Sequence, residues 1–365
     1  MRLGDICTIK YGKDHKKLND GDIPLYGSGG VMRHVEKALW SKPSVLIPRK
    51  GTLGNLFFVN KPFWTVDTCF WTDIDEEQVL PEYLFYQLKT KDLASLNVGT
   101  AVPSLTTDVL NEVQIDLPSL EKQKQVVEML GSLDSKIEIN TQLNGYLEKL
   151  VSLEFSRRFK ASTPTIELGK VLSISTESIK PQEHAGEIWE HYSIPAYDEN
   201  RQPLFELSDG IKSNKYAIDA NCILISKLNP ATKRIWMPSC TSEHSVCSTE
   251  FIVYKPKNPR YKSFYYAAID SQAFTDFLIA HVTGSTGSRQ RTQPKATLTY
   301  PMPNPGHDAI EGFCAFANPI YKQIQSNKLE SKWLVSLRDA LLPKLMSGEI
   351  DVSKIDLTQL NSHLA

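Results

Sequence analysis

The sequence predicts an α+β fold in which two mixed, β-rich domains are separated by two long antiparallel helices that form a coiled-coil spacer. Three observations predict it. The 365 residues contain two similar halves, each half begins with short segments rich in β-branched and aromatic residues, and each ends in a long amphipathic helical pattern. This length is enough for two or three domains. The similarity of the halves predicts an internal pseudo-two-fold repeat.

The two β-rich domains are predicted at residues 1–118 and 162–305. In the first, segments such as IPLYGSG and SVLIPRKG are interrupted by Gly, Pro and Asn, and a helix is predicted from Pro81 in PEYLFYQLKTKDLASL. The second repeats this order, with strands predicted in KVLSIST, EHYSIPAY and NCILISKL. One helix is predicted in YKSFYYAAIDSQAFTDFLIA.

The two helical patterns, at 119–161 and 306–348, align at one constant offset of 187 residues. Their apolar residues recur at alternating steps of four and three, which predicts a seam between the helices. A polar residue at the same seam position in both helices is expected to fix their register. The predicted seam consists of Val126, Leu130, Leu133, Ile137, Asn140 and Leu147 in the first helix and Phe313, Ile320, Ile324, Asn327 and Leu334 in the second.

Two further features concern the second helix. Pro319 lies inside it and is expected to kink or split it. Residues 349–365 are predicted as a C-terminal tail. Two unrelated amphipathic helices that pack into a core remain the alternative to a paired spacer.

Composition excludes several classes of protein. The chain has 41 Lys and Arg against 42 Asp and Glu, a net charge of −1, which argues against non-specific coating of nucleic acid but allows a local basic patch. It has neither a run of about 20 apolar residues nor an apolar secretion signal in MRLGDICTIKYGKDH. Because the six cysteines show no regular spacing, a cytoplasmic protein with reduced thiols is expected.

Positive charge is concentrated in four predicted loop segments that also contain Gly, Ser, Thr, Asn or Gln. Such loops can combine phosphate contacts with donors and acceptors for base edges. A solvated loop is the alternative for each segment. The candidate DNA-binding residues are Lys10, Lys13, His15, Lys16, Lys17, Ser28, Arg49, Lys50, Asn55 and Thr100 in the first half, and Lys227, Asn229, Lys233, Arg234, Ser288, Arg289, Gln290, Arg291 and Thr292 in the second.

The segment GSTGSRQRT makes the strongest case for contact with bases. Alternate residues of an extended segment point to opposite sides. Arg289 and Arg291 are therefore expected on one side and Gln290 on the other. One of the two arginines is expected to bind a base.

Other motifs predict no catalytic or metal site. YGSGG fits neither G-x-x-x-x-G-K-[ST] nor G-x-G-x-x-G, so it predicts a flexible turn after a strand. CTSEHSVC brings together Cys240, His244 and Cys247 but has no second ligand pair at finger spacing. Neither G-x-S-x-G nor H-E-x-x-H occurs.

The helix segments LPSLEKQKQVVEMLGSLDSKIEIN and LVSLRDALLPKLMSGEI resemble those of specificity subunits of type I restriction–modification systems. RKGTLGNLFFV, FWTVDTCFW and GSTGSRQRT are similar to segments of the target-recognition domains of that family. The resemblance covers essentially the whole chain. It implies a non-catalytic, sequence-specific DNA-binding subunit in which each β-rich domain binds one half of a bipartite, asymmetric target.

The resemblance also implies partners. The helices would fix the spacing between half-sites and dock modification subunits, and a restriction subunit would complete the complex. S-adenosylmethionine, ATP and magnesium are expected on those partners, so the chain itself is expected to bind no cofactor or metal. A protein-interaction scaffold without a role in DNA binding is the alternative. An independent enzyme acting on nucleic acid is a third possibility, disfavoured by the missing motifs.

Overall fold

The computed structural model describes residues 1–99, 102–159, 163–283 and 290–352. These residues form two compact units. Unit 1 contains residues 1–138 and those described from 331 onward, and unit 2 contains residues 139–330. Both units combine helices with β-sheets, and the predicted α+β class with two long helices is confirmed.

Unit 1 contains two sheets and several helices. Its strands are β1 (Cys7–Tyr11), β2 (Ile23–Gly27), β3 (Gly30–Val35), β4 (Ser44–Pro48), β5 (Phe57–Val59), β6 (Trp64–Thr65) and β7 (Cys69–Ile74), and its helices are α1 (Leu3–Ile6), α2 (Pro81–Lys89), α3 (Thr107–Asn111) and the first half of α4 (Leu120–Arg158). The strand orders are β1-β7-β4-β5 and β3-β2-β6. A 3-10 turn covers Leu93–Leu96.

The core of unit 1 lies between the four-stranded sheet, α2 and the helix halves. Every residue of β4 is buried, since it has strands on both sides and α2 packs against it. Val45 and Ile47 of β4 share one apolar cluster with Leu84 of α2, Leu130 of α4 and Leu345 of the last helix. Burial of these side chains, at roughly 1.5–3 kcal/mol each, attaches the helices to the sheet.

Unit 2 follows a similar plan with more strands. Its strands are β8 (Thr165–Glu167), β9 (Leu172–Ser175), β10 (Ser178–Ile179), β11 (Ile188–Tyr192), β12 (Leu204–Leu207), β13 (Lys215–Ala217), β14 (Ile223–Ser226), β15 (Ile235–Trp236), β16 (Ser245–Ser248), β17 (Phe251–Pro256), β18 (Val282–Thr283), β19 (Arg291–Thr292) and β20 (Pro301–Pro303). Its helices are α5 (Leu168–Val171), α6 (Ile194–Asn200), α7 (Lys262–Asp270) and α8 (Gln272–Ala280), with the second half of α4 and the first part of α9 (His307–Met346).

The four-stranded sheets of the two units have the same topology. The order β1-β7-β4-β5 in unit 1 corresponds to β9-β17-β14-β15 in unit 2. All neighbouring strands in both sheets pair antiparallel. Unit 2 adds a five-stranded sheet of order β10-β13-β16-β11-β12, where unit 1 has three strands. The repeat therefore extends from the sequence to the strand order.

Two predictions inside unit 2 are wrong in detail. EHYSIPAY was predicted as one strand, but β11 ends at Tyr192 and α6 follows, because Ser193 caps that helix by accepting a hydrogen bond from the Ala196 N–H. YKSFYYAAIDSQAFTDFLIA was predicted as one helix. It forms α7 and α8, because Ser271 is extended and its hydroxyl accepts from the Phe274 N–H to start a new helix.

The two long helices begin and end close to their predicted limits, at Leu120–Arg158 and His307–Met346. Within unit 2 they run antiparallel, since Asn144 bonds Asn327 and the ring of Phe155 packs against Phe313. The expected split at Pro319 does not occur. Pro319 is exposed, as is residue 315, whose carbonyl loses its helical donor and can bond water instead.

Among the described residues, none of the helices is long and apolar enough to cross a membrane.

Candidate nucleic-acid interface

The predicted basic segments of unit 1 emerge at one end of its four-stranded sheet. Tyr11, the last residue of β1, lies opposite Phe70 on β7, and Pro48, the last residue of β4, lies opposite Cys69. Since β1 and β4 both end here, the basic segments that follow them leave the sheet side by side. We call this the loop end of unit 1. In unit 2, β14 likewise ends where β17 begins, with Ser226 opposite Phe251.

Arg49 is held in place at the loop end of unit 1. Its Nη1 donates to the carbonyl oxygen of Asp67 at 3.1 Å, and its guanidinium carbon lies 5.3 Å from the ring centroid of Tyr11. A guanidinium has several N–H donors, so this bond leaves others for a phosphate or a guanine edge. Tyr11 is half-exposed and was not among the predicted residues. The cation-aromatic pattern KYGK was the available signal.

The loop after β4 packs against the turn between β2 and β3. The Asn55 side-chain amide donates to the Ser28 carbonyl oxygen at 3.1 Å. Gly51 has a φ of 88°, a conformation that favours glycine, and a Cβ there would lie 3.6 Å from the Ser28 hydroxyl. Ser28, Lys50 and Asn55, three of the predicted residues, are therefore neighbours in unit 1.

A pair of backbone hydrogen bonds fixes this loop to the chain near Ser104. Leu105 N–H donates to the Arg49 carbonyl at 2.9 Å, and Gly51 N–H donates to the Pro103 carbonyl at 3.2 Å. Lys50 and Ser104 form the bridge between them. We call this arrangement the loop bracket.

Unit 2 contains the same loop bracket. Thr292 N–H donates to the Lys227 carbonyl at 2.9 Å, and Asn229 N–H donates to the Gln290 carbonyl at 3.0 Å. Leu228 and Arg291 form the bridge. Asn229 has a φ of 48°, at the position that Gly51 occupies in unit 1. The brackets match in backbone while their side chains differ.

Three cations predicted for unit 2 are paired with carboxylates: Arg234, Lys233 and Arg291. Arg234 makes two bonds to Asp198, at 2.6 and 2.8 Å, and its side chain is 12% exposed. Lys233 lies 2.6 Å from a carboxylate oxygen of Asp270. Burial raises the pKa of Asp270, an effect that Lys233 opposes. In this conformation Arg234 stabilises the protein and is not presented to a ligand.

Arg291 has a more accessible position. Its guanidinium donates to Glu250 at 3.0 and 3.3 Å, and this pairing raises the pKa of Arg291. The side chain is nevertheless 46% exposed. Gln290 is half-buried beside it. Thr292, by contrast, is buried and its hydroxyl donates to the Leu278 carbonyl, so its side chain is inaccessible.

The remaining predicted residues fall into four groups. Lys10 pairs with Asp73 at 2.8 Å and lies over the rings of Trp40 and Trp71. Lys13, Lys16, Lys17 and Lys50 are exposed, whereas His15, Lys227 and Asn229 are half-buried. Thr100, Ser288 and Arg289 lie outside the described residues, so the expected arrangement of Arg289 and Arg291 on one side of the loop stays a prediction.

The predicted seam residues lie where the long helices meet the cores of the two units. Asn140 donates to Glu330 at 2.8 Å, and Asn327 donates to Asn144 at 2.9 Å. Asn144 and the ion pair of Asp134 with Arg338, at 2.7 Å, were not predicted. Val126, Leu130, Leu133, Asn140, Phe313, Ile324, Asn327 and Leu334 are buried, and Ile137, Leu147 and Ile320 are half-buried.

The residues that the structure describes contain no group of three or more His, Cys, Asp or Glu side chains able to hold a metal ion. Burial raises the pKa of Cys240 to about 12, which keeps its thiol protonated at neutral pH.

Comparison with known proteins shows which family the chain is similar to. Residues 1–149 match the family model of the type I restriction modification DNA specificity domain. The specificity subunit of the MjaIX type I restriction enzyme of Methanocaldococcus jannaschii is 22% identical over 93% of this chain and 89% of its own length. That of the HindI type I restriction enzyme of Haemophilus influenzae is 22% identical over 74% of this chain and 78% of its own.

A solved structure shares the fold. The S subunit of the type I restriction–modification system of M. genitalium aligns over 94% of this chain and 95% of its own, with a TM-score of 0.60 and 16% identity. Residues 1–149 thus match a type I restriction modification DNA specificity domain, and the chain is similar over most of its length to specificity subunits of type I restriction–modification systems.

Proposed function

We propose that this chain selects the DNA sequence on which a type I restriction–modification complex acts. Each unit would bind one half of a bipartite, asymmetric target. The observation that carries the proposal is the loop bracket, which occurs in both units beside exposed cations but presents different side chains. Matching frames suit equivalent positions on two half-sites, and different side chains suit different sequences.

The long helices would set the distance between the two half-sites. A helix of about 40 residues is roughly 60 Å long, and one turn of DNA is about 34–36 Å. Such a spacer is long enough for half-sites about one turn apart. The chain itself would contribute no catalytic group.

The partners in this proposal are double-stranded DNA, modification subunits and a restriction subunit in the cytoplasm. S-adenosylmethionine, ATP and magnesium would be bound by those subunits. The docking surface for the modification subunits would lie on α4 in unit 2. Five large apolar side chains there recur at steps of four and three and are 39–70% exposed: Ile139, Leu143, Tyr146, Leu150 and Leu153. That spacing is typical of a helix that packs against another helix.

Methylation profiling of host DNA tests the proposal. Deleting this chain should abolish methylation at one split motif, and supplying it again should restore that motif. Arg49→Ala combined with Lys50→Ala should weaken or alter recognition of one half-site only. The matched control is Lys42→Ala with Lys61→Ala, since these exposed lysines lie at the other end of the same sheet. An unchanged methylation profile on deletion contradicts the proposal.

DNA binding also separates this function from that of a protein-interaction scaffold. Binding of the full chain to a duplex should fall steeply as salt rises, because each neutralised phosphate releases counterions. For the docking surface, Tyr146→Lys with Leu150→Lys should abolish co-purification of the modification subunits. Lys149→Ala on the same helix should leave co-purification intact.

A further inference from the structure

Strand β3 begins with two exposed apolar side chains. Val31 is 51% exposed and Met32 is 59% exposed. In a regular strand, neighbouring side chains point to opposite faces, so one of the two would be covered. Here the pairing with β2 is irregular. Tyr26 lies opposite Val31 and Leu25 opposite Arg33, which leaves Met32 as the additional residue of a bulge. Bulges redirect side chains and are common next to functional sites.

The position of Met32 places it beside the loop end of unit 1. A Cβ added to Gly27 would lie only 2.6 Å from the Met32 sulfur, so the glycine leaves room for this side chain. The same Cβ would lie 3.8 Å from Val66, which begins the turn whose Asp67 carbonyl holds Arg49. Met32 is thus separated from the Arg49 site by one turn of the chain.

The charged groups at the loop end favour a nucleic-acid ligand. Lys13 and Lys50 are exposed and Arg49 is half-buried at the loop end, together with the exposed carboxylates of Asp14 and Asp67. Cations suit phosphates, and a carboxylate can accept a hydrogen bond from cytosine. The apolar group that a DNA major groove offers is the C5-methyl of thymine.

We propose that Val31 and Met32 bind thymine methyl groups in the half-site recognised by unit 1. This inference rests on the proposed function, because it needs unit 1 to bind DNA. It adds a sequence-determining contact that is apolar and lies outside the cationic segments. Burial of one methyl group is worth about 0.8 kcal/mol, which corresponds to about a fourfold change in Kd.

The test removes the methyl group from the DNA. The full chain is purified with the modification subunits that accompany it and bound to a duplex carrying the motif found by methylation profiling. Deoxyuridine then replaces every thymine of one half-site at a time. For the unaltered chain, replacement in one half-site should weaken binding about fourfold per contacted methyl group.

Two variants connect that loss to these side chains. Val31→Thr keeps the shape of the side chain, and Met32→Gln keeps its length, while both make it polar. Combined, they should remove the discrimination between thymine and deoxyuridine in one half-site. Ile188→Thr in unit 2, at a residue 56% exposed, is the matched control and should keep the discrimination between thymine and deoxyuridine. Melting temperatures establish that each variant is folded.

The outcomes separate the inference from the function on which it rests. If no duplex binds with sequence preference, the proposed function fails. If the duplex binds but deoxyuridine has no effect in either half-site, the inference is overturned and the function stands. The same holds if the double variant still discriminates thymine from deoxyuridine as strongly as the unaltered chain.

Discussion

Asn327 and Asn144 form a hydrogen-bonded pair inside the helix seam of unit 2. Asn327 is 4% exposed and Asn144 is 8% exposed, and the amide of Asn327 donates to the side-chain oxygen of Asn144 at 2.9 Å. Asn327→Leu leaves that oxygen buried without this donor. An unsatisfied buried group costs about 1–3 kcal/mol, so we expect a loss of about 2 kcal/mol in the free energy of opening this part of the seam.

Replacing both residues should have a different effect. Asn144→Leu alone leaves the Asn327 amide nitrogen without this acceptor and should cost about as much as Asn327→Leu. In the double variant, two leucines of similar size face each other. The Gln323 amide, which donates to Asn327 at 2.7 Å, is exposed and can bond water instead. Exchange of both partners for apolar groups is close to neutral. The coupling free energy of the double-mutant cycle should therefore be about 2–4 kcal/mol, at or above the upper end of the range usual for residues in direct contact.

Amide hydrogen exchange of the full chain measures this free energy locally. Peptides from the second half of α4 report on opening of the seam in unit 2, without assuming that the whole chain unfolds in one step. Ser336→Ala, whose hydroxyl bonds its own helix at Lys332, is a control that should alter exchange little in these peptides. If the free-energy losses of the two single variants simply add in the double variant, the pairing of Asn144 with Asn327 is refuted.

Three further predictions concern other residues. Ile324→Asp buries a carboxylate at a site 4% exposed, so unit 2 should lose several kcal/mol of stability and the complex should no longer bind the full target. The control Leu329→Asp, at a residue 50% exposed, should lose little stability. Normal urea unfolding and normal binding by Ile324→Asp would contradict this prediction. Arg291→Ala should weaken the free energy of DNA binding by about 1–3 kcal/mol and relax specificity at one base pair. Methylation profiling measures this change, and an unaltered profile would exclude a role of Arg291 in recognition. Burial lowers the pKa of Lys262 from 10.5 to about 8, so between these values the unfolded chain binds more protons. The free energy of unfolding of the unaltered chain, measured with urea relative to that of Lys262→Met, should then be higher at pH 10 than at pH 7. The same difference at both pH values would contradict this.

The long helices were predictable because their apolar periodicity persists over many turns. The strands of the four-stranded sheets were also evident, since segments such as SVLIP are short, apolar and bounded by Pro or Gly. The change from strand to helix at Ser193 was not predicted from the sequence. A single side-chain cap decides it there, and the preceding apolar residues fit either structure.

The candidate interface was only partly predictable. The basic segments could be located, but the pairing of Arg234 with Asp198 depends on two loops that the fold brings together. Composition alone cannot separate such a structural cation from an accessible one. Met32 carried no signal, because its exposure depends on the bulge opposite Leu25 and Tyr26. Tyr11, between two lysine-containing segments, could have been identified.

The loop bracket has a consequence for how new DNA targets arise. Its hydrogen bonds join main-chain groups only, at Arg49 and Leu105 in one unit and at Lys227 and Thr292 in the other. Almost any residue supplies the same N–H and C=O, so the half-buried side chains of Arg49 and Lys227 can change without loss of the frame, whereas Leu105 and Thr292 are buried. Because main-chain groups hold the loops and side chains make the contacts, mutations can change the half-site sequence while the protein stays folded. Under the proposed function, the DNA contacts can therefore diversify while the scaffold stays the same.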